Sequence, residues 1–559
     1  MPATAMPEAT AMPEATAMPE ATAVPTAMPE ATEPPMMTSE TKRLRFATQA
    51  PWIEIVLPWR GGSWGSNLVV RTHMEPLIDV HNETTELVPN LATEWRMINP
   101  EEWEFTLREG VPYHKTGPNA DDWGDFVAAD VAHVIARNSE SNLSTDGPSF
   151  RAKFGATEGE VMTNVEIIDD HKIKLTPVSP DVDLDLTASS QYGNFLMHAK
   201  AQWDAQGIEG SEANPAGTGS YQLVNRQLGV WLLWERVEDH WRQTPEFEEF
   251  EILLVPEHAT RLSMLLGGEV AMTEIPRDLH PEAVSQGYKV WSTVNPVTQA
   301  FGIFGGGYGE DTPEFDPDMP SSSPLVRQAI NKALDRDAID SEVFKGVGET
   351  LYVQAYHEEL PGWSSRWQDE FDEKYGYDPD EARQLLEEAG YGEGFEFKLW
   401  LMQFPGFPET TAITEAIFNY LREVGIDATI EEIEVARHRE AYVARETHGT
   451  LHFRRTSFTT PMVVTRWYNA RPPTGSATAW EFPVEQQAIW DQAFIADTKE
   501  SQNDLLRQLG DWKFDNFSEV PLFWLPGQAV VDPDVIAEYI WPGNVDAGFD
   551  HFEYIKAAN

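Results

Sequence analysis

Residues 324–339 read PLVRQAINKALDRDAI and predict an amphipathic helix. Apolar side chains recur there every three or four positions, as they do along one face of a helix. They are Val326, Ala329, Ile330, Ala333 and Leu334. Ser323 precedes the stretch as a capping residue, and Pro324 takes the first helical position, where proline is well tolerated. This pattern alone predicts a helix that packs on a hydrophobic core.

The length of the chain indicates more than one folded lobe. Its 559 residues exceed what ordinarily packs around a single core, and 41% hydrophobic residues are enough to fill two. No run approaches the roughly 18 consecutive apolar residues that a membrane-spanning helix needs. Cysteine is absent, which excludes disulfides, thiolate nucleophiles and zinc-thiolate sites.

The chain is strongly acidic. Its 92 Asp and Glu residues oppose 40 Lys and Arg residues, giving a formal net charge of -52. Such a surface repels phosphate groups, so we expect neither nucleic acid nor an anionic membrane as a partner. The simplest interpretation is a solvated acidic coat, typical of an exported protein or a saline habitat. Attraction of cationic solutes is the functional alternative.

The first forty residues predict a disordered spacer. MPEATA occurs three times in succession over residues 6–23, and MPEAT returns at residues 28–32. Recurrent proline with little aliphatic bulk favours an extended, solvated chain. No segment with a basic start and an apolar centre is present, so we expect that a signal segment has been removed. Such a spacer suits lipid anchoring through that removed segment, and a plain disordered tail is the alternative.

Helix, glycine and strand follow one another in the second half of the chain. Asp378 and Pro379 carry the start signals of one helix. Residues 413–424 carry a second apolar stripe that Gly425 ends, and the alternating residues 426–430 predict a strand. This order of elements predicts an α/β lobe.

Several motifs resemble, in the same order, those of the family 5 extracellular solute-binding proteins, the peptide and oligopeptide receptors of ABC importers. They are LATEW at 91–95, LREGVPYH at 107–114, AADV at 128–131, GTGSY at 217–221, LLGGEVA at 265–271, VRQAINKALDRDAI at 326–339, DPDEARQLLEEAGY at 378–391 and LREVGIDATI at 421–430. In GTGSY, serine stands where the family usually has proline. The resemblance extends over residues 72–530.

The resemblance implies an α/β, two-lobed, periplasmic-binding-protein-like fold of type II, cluster C, with an extra subdomain in the first lobe. Two crossovers would join the lobes. The implied segments are a spacer over 1–40, the first lobe over 41–80, 215–295 and 526–559, its extra subdomain over 81–214, and the second lobe over 296–525.

No motif supports an enzyme. Paired carboxylates could serve a glycosidase, but with 92 acidic residues such pairs arise by chance. H-E-x-x-H is absent from the sequence, and GGSWG at 61–65 matches the letters of G-x-S-x-G only within a stretch that its glycines predict to be a loop. The triplets HEE at 357–359 and HRE at 438–440 are too loose for a metal site, so no cofactor is expected. A carboxylate-pair hydrolase and a surface adhesion protein stay as alternatives from other classes.

The resemblance places ligand contacts in the stretch 434–470. Peptide-binding relatives typically carry there a tryptophan and, three positions later, an aspartate that pairs with the ligand's amino terminus. Here Phe458 matches the aromatic residue, and Pro461 stands at the aspartate position. Arginines crowd the same stretch, namely Arg439, Arg454, Arg455 and Arg466. They predict a ligand carboxylate, phosphate or sulfate held by guanidinium groups, with internal ion pairs as the alternative.

Aromatic side chains form a second group of candidate contacts. Twenty tryptophans are many for this length, although most are expected to fill the core. Candidates for the cleft are Trp64 in a glycine-rich loop, Trp400 and Phe404 beside a turn, and Trp467 with Tyr468.

The resemblance therefore implies an extracytoplasmic receptor that closes two lobes over one small solute. It would pass that solute to the transmembrane subunits of an ABC permease. Peptide is the ligand class that the family implies, and oligosaccharide or a small organic anion are alternatives because the aspartate is missing. We expect the receptor to be a monomer.

Overall fold

The computed structural model describes residues 42–49, 54–60, 64–117, 120–140, 147–155, 164–191, 195–403, 407–457, 459–471, 480–543 and 548–558. The predicted spacer over residues 1–40 lies outside these ranges. None of the helices within them is long and apolar enough to cross a lipid bilayer.

The first half of the chain alternates between strands and helices. Its strands are β1 (Arg43–Thr48), β2 (Ile78–Val80), β3 (Leu87–Pro89), β4 (Ala92–Asn99), β5 (Glu102–Leu107), β6 (Val165–Asp169), β7 (Lys172–Leu175), β8 (Tyr221–Gln227), β9 (Trp231–Arg236), β10 (Glu249–Leu254), β11 (Met272–Thr273) and β12 (Lys289–Phe304). Its helices are α1 (Trp64–Arg71), α2 (Ala128–Glu140), α3 (Gly147–Phe154), α4 (Leu184–Thr187), α5 (Lys200–Ala213), α6 (His258–Leu266) and α7 (His280–Ser285).

The second half is richer in helix. Its helices are α8 (Pro324–Lys332), α9 (Arg336–Ile339), α10 (Ser365–Tyr375), α11 (Pro379–Glu388), α12 (Thr410–Glu423), α13 (Val435–Val443), α14 (Pro461–Tyr468), α15 (Val484–Phe494) and α16 (Lys499–Asp515). Its strands are β13 (Glu349–Thr350), β14 (Glu396–Leu401), β15 (Asp427–Glu432), β16 (Thr450–Ser457), β17 (Glu519–Val531), β18 (Ile536–Glu538) and β19 (Lys556–Ala557).

One long sheet runs through the molecule. In the part of the chain that is described it has eleven strands, in the order β15-β14-β16-β12-β17-β11-β1-β10-β9-β8, with β13 paired to β17. Neighbouring strands are parallel from β16 to β15 and antiparallel around β12 and β17. A separate four-stranded sheet has the order β4-β5-β7-β6, and its strands β4 and β5 form an antiparallel hairpin.

The two long strands β12 and β17 connect the two ends of this sheet. They pair antiparallel along most of their length, but their register shifts on both sides of Pro296, which lies opposite Pro526. Proline has no N–H to donate, so two facing prolines interrupt the ladder at this point. The predicted segment boundaries at 296 and 526 lie at this interruption. The division of the chain into the predicted segments stays a prediction.

Separate hydrophobic cores lie on either side of the interruption. One core includes Phe46, Phe105 and Trp234, whereas the other side contains a core around Ile330 and a further one around Trp367. We call the elements β1–β11, α1–α7, β18 and β19 the first lobe. We call β13–β16 and α8–α16 the second lobe, and β12 and β17 cross between them.

The stretch 324–339 forms two helices instead of one. α8 ends at Lys332, and the Asp335 carboxylate then accepts a hydrogen bond of 2.9 Å from the Ala338 backbone N–H, capping α9. The chain turns there because Arg336 points inward. Its guanidinium donates to the carbonyl oxygens of Tyr375 and Pro521 at 3.0 and 2.9 Å.

Local signals in the second half are confirmed. Asp378 caps α11 by accepting from the backbone N–H groups of Asp380 and Glu381, at 3.1 and 2.8 Å. α12 ends before Gly425, which has a φ of 94°, and β15 follows. By contrast, Trp64 was predicted in a loop but starts α1, because the run from Leu68 to Val70 is buried and continues the helix.

The GTGSY motif forms a tight turn. A Cβ on Gly217 would stand 1.8 Å from the His73 carbonyl oxygen, so only glycine fits there. The His114 ring contacts the Gly219 carbonyl oxygen at 2.7 Å, and burial lowers the pKa of His114 to about 3. Gly217, Gly219 and His114 therefore have structural roles in the first lobe.

Candidate functional site

A cavity of about 970 Å³, its open mouth included, lies between the two lobes. The first lobe contributes α4 and the residues just before it, together with Lys153 from α3. The second lobe contributes α14, α15 and α16. Lining residues from the two sides are Lys153, Asp181, Asp183 and Thr187, and Thr460, Met462, Arg466, Trp467, Trp490 and Phe494. The cavity is thus lined by elements of both lobes.

A neighbouring cavity extends this cleft toward the crossing strands. It shares Asp183, Leu186 and Thr460 with the first cavity and adds Asn295 from β12. A third cavity of about 640 Å³ lies at the facing prolines and is lined by Arg455 and by residues of both lobes. The cleft therefore follows the boundary between the lobes up to the point where the chain crosses.

Two ion pairs bridge the lobes across this cleft. Lys499 Nζ of α16 lies 2.7 Å from Asp185 Oδ2 of α4. Nearer the crossing strands, Arg277 Nη1 lies 2.6 Å from Glu409 Oε1. These contacts hold the first and second lobes together at two separate places, as expected of a closed arrangement.

The second-lobe wall of the cavity is aromatic. Trp467 is 39% exposed and stands at the cavity beside Met462 on the same helix. Trp490 and Phe494 of α15 line the wall behind them. Such a surface offers a ligand contact area that loses water when the lobes close.

The first-lobe wall carries three aspartates at alternate positions. Asp181 pairs with Lys153 Nζ at 2.5 Å, and Asp185 pairs with Lys499. Asp183, between them, has no hydrogen bond or ion pair from its carboxylate to any described residue. Burial raises the pKa of Asp183 to about 7, and the negative charges of Asp181 and Asp185 act in the same direction.

The predicted contact residues are only partly brought together. Arg466 and Trp467 line the large cavity, and Arg455 lines the cavity at the facing prolines. Arg454 lies elsewhere, with its guanidinium carbon 5.5 and 5.4 Å from the ring centres of Tyr442 and Tyr468.

The other predicted residues line none of the described cavities or cannot be placed. Trp400 is 7% exposed and donates to Glu431 at 3.3 Å. Phe404 and Phe458 lie outside the described residues. Trp64 and Arg439 belong to α1 and α13, and only their backbone is described. For all of these, a ligand contact stays a prediction.

Asp183 was not among the sequence candidates. Nothing in SPDVDLDLT distinguishes it from the other acidic residues of the chain. Its special position depends on Lys153 and Lys499, which are distant in sequence and pair with its neighbours. In the described part of the chain, no group of three or more His, Asp or Glu side chains is arranged to hold a metal ion.

A family model described as "Bacterial extracellular solute-binding proteins, family 5 Middle" matches residues 86–486. The dipeptide-binding protein of Escherichia coli is 26% identical over 370 residues, which cover 64% of this chain and 65% of that protein. The heme-binding protein A of Haemophilus influenzae is 25% identical over 382 residues, 65% of each chain. The matched part therefore spans just under two thirds of these relatives.

Solved structures share the fold over nearly the whole chain. The periplasmic binding protein DppA from Helicobacter pylori, in complex with the peptide STSA, superposes with a TM-score of 0.71 at 18% identity, covering 92% of this chain and 98% of that one. NikA from Brucella suis, in complex with Fe(III)-EDTA, gives a TM-score of 0.73 at 19% identity, covering 92% and 99%. The two-lobed α/β fold of these proteins is also the fold of this chain.

Proposed function

Because the chain belongs to the bacterial extracellular solute-binding proteins of family 5, we propose that it captures one small solute between its lobes and delivers it to the permease of an ABC importer. The observation that carries this proposal is the cavity of about 970 Å³ divided between the two lobes. A solute that touches both walls binds the closed form better than the open form. Binding therefore shifts the hinge equilibrium toward closure without any covalent step.

The proposed ligand class is peptide, supported by the names of the dipeptide-binding relative and of the peptide-bound structural neighbour. Oligosaccharide and small organic anions stay as alternatives, since the aromatic wall suits a sugar ring and Arg466 suits an anion. The receptor acts outside the cytoplasm, and we include in the proposal that a lipid anchors it to the membrane. It binds its solute and does not convert it.

A thermal-unfolding screen tests this function. Pools of short peptides, oligosaccharides and small organic anions are added to the full chain. A ligand at 100 times its dissociation constant adds about 2.7 kcal/mol to the free energy of unfolding, which raises the unfolding midpoint by a few degrees. We expect at least one pool to raise the unfolding midpoint in this way. If no pool raises it, the result contradicts solute capture.

Trp467 should carry part of the affinity for the compound found in that screen. Trp467→Ala removes an aromatic face from the cavity, and we expect binding roughly tenfold weaker by calorimetry. Tyr377→Ala is the matched control, because Tyr377 is 44% exposed and lines none of the three cavities. Equal losses in both variants would argue against a contact between Trp467 and the ligand.

A further inference from the structure

We propose that Asp183 is the cation-binding group of the cleft, and that the captured solute carries a positively charged amine next to an apolar part. This inference rests on the proposed function, because it names the chemistry of the solute that the cleft takes. The inference also predicts that the carboxylate that pairs with the amine of the solute belongs to the first lobe and faces α14 across the cavity.

The arrangement of charges singles out Asp183. Three aspartates stand at positions 181, 183 and 185, but among the described residues only two lysines pair with them. Lys153 Nζ contacts Asp181 at 2.5 Å and also donates to Thr187 at 2.6 Å. Lys499 Nζ donates to both carboxylate oxygens of Asp185, at 2.7 and 3.0 Å. The two flanking acids are thus neutralised, and the carboxylate between them is left for another cation.

Asp183 is also released from its ordinary local role. It occupies the position before α4, where an aspartate normally accepts a hydrogen bond from the first turn of the helix. Its side chain makes no such bond. Its backbone N–H donates to Asp181 Oδ1 at 2.9 Å, and its carbonyl oxygen accepts from the Thr187 N–H at 3.2 Å. The Asp183 carboxylate therefore neither caps its helix nor pairs with a lysine. Binding a ligand would give this carboxylate a role at the cavity.

The position of Asp183 in the cleft fits this role. It lines both the large cavity and the neighbouring one, so it stands where the two spaces meet. The aromatic wall of Trp467 and Phe494 lines the same large cavity from the second lobe. A solute with an amine at one end and an apolar part beside it can contact both walls at once.

Closure gives the interaction its selectivity. Closing the lobes removes water from the carboxylate, and an ionised group without a partner is costly in a dry site. A solute amine supplies the missing charge, whereas a neutral solute leaves Asp183 to be protonated or unpaired. The closed state is therefore favoured by a cationic group and disfavoured by its uncharged analogue.

The peptides Ala-Phe, Ala-Ala-Phe and Ala-Ala-Ala-Phe, each with a free or an acetylated amino terminus, test the proposal by calorimetry. We expect at least one free-amine peptide to bind the wild type, and its acetylated form to bind roughly ten- to hundredfold more weakly. Asp183→Asn should lose affinity for the free-amine peptide by a similar factor. Glu235→Gln is the control, because Glu235 is another carboxylate whose pKa is raised by burial but lines none of the cavities.

The pH dependence of binding provides a second readout. The groups that act on Asp183 are Asp181, Asp185, Lys153 and Lys499, and Arg466 lines the same cavity. Since a protonated carboxyl cannot pair with an ammonium group, affinity should rise about tenfold per pH unit up to about pH 7. It should fall again above about pH 8, where the peptide amino group loses its proton. In Asp183→Asn the rise below pH 7 should disappear.

The stability of the unliganded variant separates binding from folding. The folded pKa of Asp183 is about 7, above the ordinary value of 3.8, so the native state holds this proton more tightly. Its contribution to the free energy of unfolding is therefore present at low pH and is lost as pH rises through about 7. Asp183→Asn should unfold at an equal or higher temperature than wild type at pH 8, which shows that the variant is folded.

Four outcomes would overturn the inference. Equal affinity for free and acetylated peptides, or unchanged affinity in Asp183→Asn, would assign the amine no role at Asp183. Capture of sugars or organic anions without any free-amine peptide would remove the inference but keep the proposed function. Failure of every compound in both the thermal screen and the peptide series would overturn the inference and the proposed function together.

Discussion

Replacing Arg336 by alanine should lower the free energy of unfolding by about 3 to 4 kcal/mol. The Arg336 guanidinium donates to four acceptors, namely the backbone and side-chain oxygens of Asn331 and the carbonyl oxygens of Tyr375 and Pro521, at 2.7 to 3.0 Å. It is 8% exposed, so water cannot replace these bonds after truncation. Each buried acceptor left without a donor costs about 1 to 3 kcal/mol.

Urea unfolding followed by circular dichroism measures this loss. Arg336→Lys should recover little of the stability, because an ammonium group cannot reach acceptors on α8, α10 and β17 at once. Arg383→Ala is the control: Arg383 lies on α11, is largely exposed, and pairs with an exposed Asp380, so its loss should cost about 1 kcal/mol or less. A loss below about 1 kcal/mol for Arg336→Ala would mean that the motif arginine does not hold the second lobe together.

Arg242→Ala should destabilise the first lobe by a similar amount, about 3 to 5 kcal/mol at pH 8. The Arg242 guanidinium lies 3.0 Å from Glu75, 3.4 Å from Asp79 and 2.7 Å from Glu553, and all three acids are buried. Arg242 thereby joins Glu553 to Glu75 and Asp79, which are distant from it in the sequence. Without it, the acids remain buried with too little positive charge around them.

The loss in Arg242→Ala should depend on pH. Burial raises the pKa of Glu75 to about 7, even with Arg242 next to it. Below that pH, Glu75 takes up a proton and needs the arginine less, so the loss should be smaller at pH 5 than at pH 8.

Arg366→Ala is the matched control for Arg242→Ala. Arg366 also pairs with three carboxylates, those of Glu370, Asp511 and Asp515, but at the surface, where its side chain is 36% exposed. Exposed pairs contribute about 1 kcal/mol or less. Equal losses for Arg366→Ala and Arg242→Ala would contradict the importance of burial, and so would a loss that does not change between pH 5 and pH 8.

Local signals were enough to predict many of the elements. The helix after Asp378 and the strand after Gly425 depend on neighbours in sequence, and both are confirmed. The division of the stretch 324–339 into two helices could not be predicted in this way. It depends on Arg336, whose acceptors at Tyr375 and Pro521 come from distant parts of the chain.

The residues of the candidate site also fall into those that the sequence could predict and those that it could not. The family resemblance drew attention to the stretch that contains Arg455 and Trp467, and both line cavities between the lobes. Arg454, one position earlier, alternates to the other side of β16 and packs between tyrosine rings. Asp183 could not be selected from the sequence. Its carboxylate lacks a partner because the fold places Lys153 beside Asp181 and Lys499 beside Asp185.

The distance between the lobes is the most direct test of solute capture by closure. The chain contains no cysteine, so Ala205→Cys on α5 and Ala488→Cys on α15, both at exposed positions, give one spin-label site in each lobe. The label-to-label distance is measured by pulsed electron paramagnetic resonance, without and with the compound that most raises the unfolding temperature. We predict a broad distribution in the free protein and a single narrower one with the compound bound. The same distribution in both samples would contradict capture by closure of the two lobes.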